Sequence, residues 1–214
     1  MPDDYRAVVR AGYDAISESY LADRPTDAAD VTFLDELIGR LPRPARVLDA
    51  GCGAGVPVTR RLLDRGLTAT GLDFSLAQLK LAQDLVAAAS PVQGDLAQLP
   101  FPHGSFDGVV SYYAIIHVPR ADHPTVFAEI RRVLRPGGLA LLCVGAADLP
   151  EESDSESWLG APMYWSHYDA ATNRDLIRAV GLEIVEDRTI ADPMGHNGHL
   201  FVLARKPDGA TTSS

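Results

Sequence analysis

Cysteine is scarce in this sequence, which argues against a fold held together by disulfide bonds. Only two cysteines, Cys52 and Cys143, occur among the 214 residues. Cys52 lies in a glycine-rich turn and Cys143 lies inside an apolar run, so we expect two separate buried thiols. This usage fits a reducing compartment such as the cytoplasm.

Positive charge and long apolar runs are also scarce. The 19 Lys and Arg residues are outnumbered by 29 Asp and Glu residues, which leaves a net charge of −10. Because nucleic acids and anionic membranes are bound through basic surfaces, neither is an expected partner. No apolar segment approaches the roughly 18 residues that cross a bilayer, and residues 1–4 show no feature of a signal peptide. We therefore expect a cytoplasmic protein.

The composition supports a single domain with a sizeable core. Apolar residues make up 46% of the chain, and one domain is the default for 214 residues. We expect this domain to cover residues 1–206, with a flexible tail over residues 207–214.

Apolar periodicity predicts two helices, at residues 5–22 and 30–41, followed by alternating strands and helices. The strands are predicted at residues 46–50, 68–72, 91–94, 107–112 and 139–144, and the intervening helices at residues 56–66, 75–89 and 122–134. This alternation is typical of an α/β fold with a parallel sheet covered by helices.

The last third of the chain breaks the alternation. Residues 148–157 are acidic and rich in Ser, which predicts a solvated loop. A helix over residues 169–180 is followed by predicted strands at 182–188 and 200–206. The short Gly- and Asn-containing break between those strands predicts a hairpin, and hence an antiparallel edge to the sheet.

The turn after the first strand is the most informative segment of the sequence. Asp49 is followed by Gly51, Gly53 and Gly55, which lets the backbone turn sharply and approach a ligand closely. A carboxylate at this point repels a phosphate and favours a cationic ligand, which Asp49 can orient directly or through water. Val56 lies where the dinucleotide-binding fingerprint requires Gly or Ala. The turn therefore favours a cationic nucleoside over a dinucleotide.

Three further strand ends carry polar residues that suit such a nucleoside. Asp73 follows the second strand and is placed to accept both hydroxyls of a ribose; its alternative role is to cap the next helix. Asp95 and Leu96 follow the third strand and are placed to contact the edge and face of an adenine, unless Asp95 is an ordinary turn residue. Backbone groups around Ser111 and Tyr112, after the fourth strand, can take an ammonium and a carboxylate.

Five blocks of the sequence, in this order and at this spacing, resemble the class I S-adenosylmethionine-dependent methyltransferases of the small-molecule type. The blocks are VLDAGCGAG at 47–55, GLDFS at 71–75, GDL at 94–96, FDGVVS at 106–111 and LRPGG at 134–138. The resemblance implies a Rossmann-like fold with a seven-stranded, mostly parallel sheet, an antiparallel last strand and helices on both faces. It also implies N-terminal lid helices over residues 1–41 and a substrate cap over residues 146–168.

The resemblance implies S-adenosylmethionine as the cofactor. Tyr13 and Tyr20 resemble the tyrosines of the N-terminal helix that covers the methionine end of the cofactor in small-molecule members; otherwise they belong to the core. Together with the strand ends, we expect the cofactor to contact Tyr13, Tyr20, Asp49, Gly51, Cys52, Gly53, Asp73, Phe74, Gln78, Asp95, Leu96, Ser111 and Tyr112.

Histidines and aromatic residues supply the catalytic and substrate-binding candidates. His117 and His167 are candidates for a general base. The alternative for His117 is a hydrogen-bonded structural histidine, and the alternative for the aromatic cluster around His167 is that Trp165 anchors the cap to the body. The candidates for substrate binding are Tyr113, Tyr164, Trp165 and His196. No metal site is expected, because His196 and His199 lack a third ligand nearby.

The expected reaction is methylation of a small molecule, on oxygen of a secondary metabolite. Methylation of nitrogen, of sulfur or of a peptide is the alternative, and a dinucleotide-dependent oxidoreductase is the hypothesis from a different class. The expected partner is the small-molecule methyl acceptor, and a homodimer is left open.

Overall fold

The computed structural model describes residues 5–195 and 197–208, without the side chains of 151–157. These residues form nine strands, six α-helices and two 3₁₀-helices, Ile115–His117 and Arg120–Asp122. The helices are α1 (Tyr5–Asp23), α2 (Ala29–Arg40), α3 (Val58–Asp64), α4 (Leu76–Leu85), α5 (His123–Val133) and α6 (Ala170–Ala179). The strands are β1 (Arg46–Ala50), β2 (Thr68–Asp73), β3 (Ser90–Gln93), β4 (Phe106–Ser111), β5 (Leu134–Gly145), β6 (Leu149–Trp158), β7 (Ala161–His167), β8 (Glu183–Ala191) and β9 (Gly198–Arg205).

Seven of these strands form one twisted sheet in the order β3-β2-β1-β4-β5-β9-β8. The five strands from β3 to β5 pair in parallel, whereas β9 pairs antiparallel with both β5 and β8. The predicted α/β fold with an antiparallel last strand is confirmed. Because the strand order reverses direction between β1 and β4, a crevice opens beyond their carboxyl ends, where ligands bind in open α/β sheets.

Helices cover both faces of the sheet because successive residues of the central strands point to opposite sides. Val47 packs with α2 and α3 on one face, and its neighbour Leu48 packs with α5 and α6 on the other. Strand β4 is buried at every position. The sheet is therefore the centre of the core, and its carboxyl edge is held rigidly.

The acidic segment predicted as a loop over residues 148–157 is a strand instead, and this prediction is wrong. Strands β6 and β7 form a separate two-stranded antiparallel sheet. The acidic composition of this segment is typical of a loop. The strand forms because the segment pairs with β7, and the sequence of the segment alone does not indicate that pairing. Met163 and Tyr164 of β7 are buried against α1, which fixes the hairpin at the mouth of the crevice.

Helix α1 lies on the hairpin through a very close approach at Gly12. A Cβ atom at Gly12 would lie 2.6 Å from the backbone oxygen of Pro162. Val9 and Ile16, on the same face of α1, are buried in the same contact. The absence of a side chain at Gly12 therefore sets the position of α1. Among the described residues, no helix is long and apolar enough to cross a membrane.

The two helical glycines Gly12 and Gly39 predict opposite effects of the same substitution. Gly39→Ala should raise the free energy of unfolding by about 0.5–1 kcal/mol, because alanine favours the helix and nothing lies within 4 Å of the added Cβ. Gly12→Ala should lower it by about 1–3 kcal/mol through overpacking against backbone. Urea unfolding of both variants measures the difference, and equal shifts for the two would contradict the tight seating of α1.

Candidate functional site

A cavity lies beyond the carboxyl ends of β1, β2 and β4, and α1 forms its roof. Its lining includes glycine-turn residues, acidic strand ends and aromatic residues from α1 and from the segment after β4. The lining residues that the sequence predicted are Tyr13, Tyr20, Asp49, Gly51, Cys52, Gly53, Asp73, Phe74, Gln78, Asp95, Leu96, Tyr112, Tyr113 and His117.

The glycine turn exposes backbone to this cavity. The amide groups of Gly51 and Cys52 donate hydrogen bonds to the carbonyl of Leu72, at 2.7 and 2.9 Å. Gly51 has a φ of 86°, and a Cβ there would lie 2.2 Å from the Cβ of Ala114. Only glycine fits this position, because Ala114 packs directly against it, and the two hydrogen bonds hold the turn close to β2.

Asp73 connects the glycine turn to the start of α4. One carboxylate oxygen accepts a hydrogen bond from the Gly53 amide and the other from the Ser75 amide, both at 2.9 Å. Burial raises the pKa of Asp73, while these two donors oppose the shift. Each oxygen keeps a lone pair for a further donor, so the carboxylate can accept the two hydroxyls of a ribose.

Asp49 is a second buried acid in the floor of the cavity. The hydroxyl of Thr59 donates a hydrogen bond to its carboxylate. Burial raises the pKa of Asp49 to about 7, with the nearby charge of Asp73 contributing. A positive ligand at this point would restore the ionised form.

Gln78 is the clearest sign that this cavity takes a polar ligand. The residue lines the cavity and is 1% exposed, yet neither its amide nitrogen nor its amide oxygen has a hydrogen-bond partner in the described residues. Buried amides are rarely left unpaired, because desolvation costs about 1–3 kcal/mol. A ligand that offers both a donor and an acceptor would satisfy it.

The adenine-binding candidates lie at the rim. Asp95 accepts a hydrogen bond from the amide of Ala97 at 2.8 Å and forms an ion pair with Arg6 of α1. Leu96 lines the cavity beside it. The Arg6 contact ties the lid helix to the carboxylate that is expected to meet an adenine amine.

A buried arginine faces the opposite end of the cavity. Arg24 forms an ion pair with Asp30, and both side chains are almost fully buried. The hydroxyl of Tyr113 donates to the Asp30 carboxylate at 3.0 Å, and the hydroxyl of Tyr112 donates to the Asp30 carbonyl at 2.8 Å. The guanidinium lies 4.7 Å from the centre of the Tyr113 ring. Arg24 lines the cavity, and within the described residues its side chain donates one hydrogen bond, so other N–H groups remain available.

His117 lines the same cavity and contacts Tyr13 of α1. Its Nε2 lies 2.9 Å from the Tyr13 hydroxyl, and its Nδ1 lies 2.7 Å from the carbonyl oxygen of Tyr164. Burial lowers the pKa of His117 to about 4. Aromatic rings surround it: Tyr13 lies edge-on at 5.3 Å between centroids, and Trp165 lies at 5.8 Å.

Comparison with known proteins identifies a methyltransferase domain in this chain. Residues 48–142 match the family described as the methyltransferase domain. A malonyl-[acyl-carrier protein] O-methyltransferase of Pseudescherichia vulneris is 33% identical over 147 residues, which cover 68% of this chain and 57% of that protein. A sterol 24-C-methyltransferase of Gibberella zeae is 39% identical over 100 residues, which cover 44% of this chain and 26% of that protein.

Among solved structures, the fold is similar to that of the 1,6-didemethyltoxoflavin-N1-methyltransferase of Burkholderia thailandensis. The TM-score is 0.76 at 24% identity, with 97% of this chain and 91% of that chain covered. The chain carries a methyltransferase domain of the class I S-adenosylmethionine-dependent type. It spans between about a quarter and just over half of the length of the two curated relatives above.

The polar groups in the cavity fit S-adenosylmethionine, the cofactor of this family. Asp73 and Gln78 offer paired acceptors and an unpartnered amide for a nucleoside. Asp49 offers an acid for positive charge, and Arg24 offers donors for a carboxylate. Gly51 and Gly53 of the turn line the cavity without side chains.

Some residues predicted for the site lie elsewhere. The buried Ser111 hydroxyl donates to the Ala50 carbonyl, so its side chain joins β4 to β1 instead of facing the cavity. His167, Tyr164 and Trp165 do not line the cavity. The ring of His167 is held by the Ala147 carbonyl at 2.8 Å. His196 lies outside the described residues.

Other residues around the cavity escape prediction, although some leave a signal in the sequence. Arg24 follows Tyr13, Ile16 and Tyr20 at helical spacing, so the stripe along α1 points to it. Trp158 leaves no such signal, because the hairpin that carries it has the composition of a loop. Its ring lies 5.5 Å from Tyr20 and 6.3 Å from Trp165.

The buried Arg24–Asp30 pair predicts a large loss of stability when one partner is removed. Asp30→Ala should lower the free energy of unfolding by about 3–5 kcal/mol, because Arg24 would keep a buried charge without its partner. Asp175→Ala, which breaks the exposed pair with Arg178, is the matched control and should cost less than about 0.5 kcal/mol. Urea unfolding decides, and an Asp30→Ala cost as small as that of the control would contradict the pairing.

Proposed function

We propose that this protein transfers a methyl group from S-adenosylmethionine to a small-molecule acceptor, with oxygen as the atom methylated. The observation that carries the proposal is the unpartnered Gln78 amide beside the Asp73 carboxylate, at the switch point of the sheet. The glycine turn preceded by Asp49 supports a cationic nucleoside there and opposes the pyrophosphate of a dinucleotide.

The nucleoside end of the donor is assigned to the strand ends of β2 and β3. Asp73 would accept hydrogen bonds from the ribose hydroxyls. The side-chain amide of Gln78 would form hydrogen bonds with the same nucleoside. Asp95 and Leu96 would contact the adenine edge and ring. Since Arg6 pairs with Asp95, an adenine amine would share that carboxylate with Arg6 or displace it.

The methionine end of the donor is assigned to the region between Asp49 and Arg24. Asp49 would offset positive charge, and Arg24 would pair with a carboxylate through its remaining N–H groups. When bound, S-adenosylmethionine supplies an electrophilic methyl group on a sulfonium that leaves as a neutral thioether. The protein's main contribution is orientation and exclusion of water, and orientation alone is worth roughly 7–11 kcal/mol.

The acceptor is assigned to the aromatic end of the cavity. Tyr13, Tyr20 and His117 line this end, and Trp158 and Trp165 pack behind them. Aromatic walls with a few polar groups suit a compact apolar or aromatic molecule. The similarity to a sterol 24-C-methyltransferase supports an apolar small-molecule acceptor. Of the two catalytic candidates, His117 faces the cavity, while His167 stays a prediction.

Equilibrium binding tests the proposal. Isothermal titration calorimetry should show binding of S-adenosylmethionine and S-adenosylhomocysteine, and no binding of NAD. Asp73→Ala should weaken S-adenosylhomocysteine binding by about 1.5–3 kcal/mol, because hydrogen bonds to a charged acceptor are lost. Asp84→Ala, a change of the same type on α4 outside the cavity lining, serves as the control and should bind as the wild type does. Binding of NAD without the adenosyl ligands would contradict the proposal.

The raised pKa of Asp49 predicts that donor binding depends on pH. Below pH 7 the carboxyl is mostly protonated, and a cation binds only after the proton leaves. As the pH rises from 5.5 to 7, the dissociation constant for S-adenosylmethionine should therefore fall by up to about tenfold per pH unit. It should be constant above pH 7. Asp49→Asn should flatten this dependence. A wild-type dissociation constant that does not change with pH would contradict a role for Asp49 in binding charge.

A further inference from the structure

The hydrogen bonds of His117 fix which ring nitrogen carries its proton. The carbonyl oxygen of Tyr164 can only accept, so Nδ1 at 2.7 Å must donate to it. Burial lowers the pKa of His117 to about 4 and keeps the ring neutral at pH 7. In the neutral ring, Nε2 then has a lone pair and accepts the Tyr13 hydroxyl proton at 2.9 Å.

This arrangement places Tyr13 between the basic nitrogen and any acceptor in the cavity. The one basic atom of His117 is occupied by the Tyr13 hydroxyl. That hydroxyl donates its hydrogen to His117 and keeps lone pairs that can accept another. Both side chains line the cavity, so the oxygen of Tyr13 is the atom that an acceptor's X–H group can reach in line with the base.

We propose that Tyr13 and His117 form a two-residue proton relay, in which the Tyr13 oxygen takes the acceptor's proton and passes its own proton to Nε2 of His117. The relay rests on the proposed function, because it acts on the acceptor of that reaction. In this relay Tyr13 of helix α1 is a catalytic residue.

Each proton in the relay has a defined destination. As the acceptor oxygen uses a lone pair to form its bond to carbon, the carbon–sulfur electron pair leaves with sulfur. The oxygen then carries a positive charge and a hydrogen. Tyr13 takes this hydrogen as a proton and gives its own to Nε2, so that the acceptor becomes a neutral ether. His117 becomes an imidazolium that still donates from Nδ1 to the Tyr164 carbonyl, and water later removes the extra proton.

The relay also selects the acceptor class. A base as weak as His117 takes a proton only from a strong acid, and an oxygen that has just been methylated is one. An aliphatic amine has a pKa of about 10.4 when protonated, so His117 could not deprotonate it before the reaction. The methylated ammonium would also keep its proton at pH 7. The Tyr13–His117 pair should therefore accelerate methylation of hydroxyl groups and should not accelerate methylation of aliphatic amines.

The tautomer of His117 is measured directly by ¹⁵N–¹H NMR of histidine-labelled protein with bound S-adenosylhomocysteine, assigned with His117→Gln. We expect a neutral ring with the proton on Nδ1 at pH 7. In Tyr13→Phe the Nε2 signal should shift, whereas Tyr20→Phe should leave it in place. Tyr20 is the matched control, since it lies on the same helix and lines the same cavity, and its hydroxyl makes no hydrogen bond in the described residues. A proton on Nε2, or a charged ring, would overturn the relay.

Measurements of kcat and KM distinguish a Tyr13–His117 proton relay from a Tyr13–His117 contact that only holds α1 in place. The probes are a panel of phenols, catechols and primary aliphatic amines, with the methyl group of the donor isotopically labelled. For the methylated phenols and catechols, Tyr13→Phe should lower kcat by about 10²-fold and change KM for S-adenosylmethionine less than threefold. Tyr168→Phe, which removes a tyrosine hydroxyl outside the cavity lining, should stay within threefold of the wild type in both. Equal kcat values for the two variants, or a loss of kcat in Tyr13→Phe that is as large for the amines as for the phenols, would overturn the inference.

Failure of the proposed function gives a different result from failure of the relay. If calorimetry shows no binding of either adenosyl ligand, the assigned reaction is wrong whatever the tautomer. If the ligands bind and the ring proton lies on Nε2, the reaction stands and the relay is wrong. The NMR measurement separates these outcomes whether or not a compound of the panel is methylated.

Discussion

The Asp73 carboxylate is the constraint on which the rest of the cavity depends. It is buried and holds two backbone amides from different elements, Gly53 in the turn after β1 and Ser75 before α4. Burying a carboxylate is costly unless donors compensate it, and these two amides do so. In return they fix the glycine turn relative to β2. The same carboxylate therefore positions the backbone of the turn and presents its remaining lone pairs to a ligand.

Helix α1 completes the cavity through contacts of unequal strength. At the adenine end, the ion pair between Arg6 and Asp95 is about one-third exposed, and exposed pairs contribute little, roughly 0–1 kcal/mol. Asp14 accepts a hydrogen bond from the hydroxyl of Ser75. At the aromatic end, the contact of Tyr13 with His117 lies inside the cavity wall. The exposed ion pair with Asp95 therefore contributes little to holding α1 on the cavity.

Local sequence signals predict the sheet and the nucleoside end of the cavity. The strands of the parallel sheet are short apolar runs followed by glycines or acids, and each signal lies within a few residues of the structure that it specifies. Asp49, Asp73 and Gln78 belong to such segments. Their positions follow from the rule that the carboxyl ends of parallel strands meet at one edge.

The acceptor end is predicted less well, because it is built from residues far apart in the chain. Strand β6 has the composition of a loop, and its acidic residues carry no sign of its pairing with β7. The position of Trp158 therefore escapes prediction. The Tyr13–His117 contact joins residues 104 positions apart, and only the packing of α1 on the hairpin brings them together. Arg24 is different, because its place on the helical stripe is visible in the sequence.

A crystal structure of the chain with bound S-adenosylhomocysteine tests the central claim most directly. We predict ribose hydroxyls within hydrogen-bonding distance of both Asp73 oxygens and the Gln78 amide paired with the ligand. We also expect the amino-acid end of the ligand between Asp49 and Arg24. A ligand bound away from Asp73, with the Gln78 amide still unpartnered, would contradict this claim.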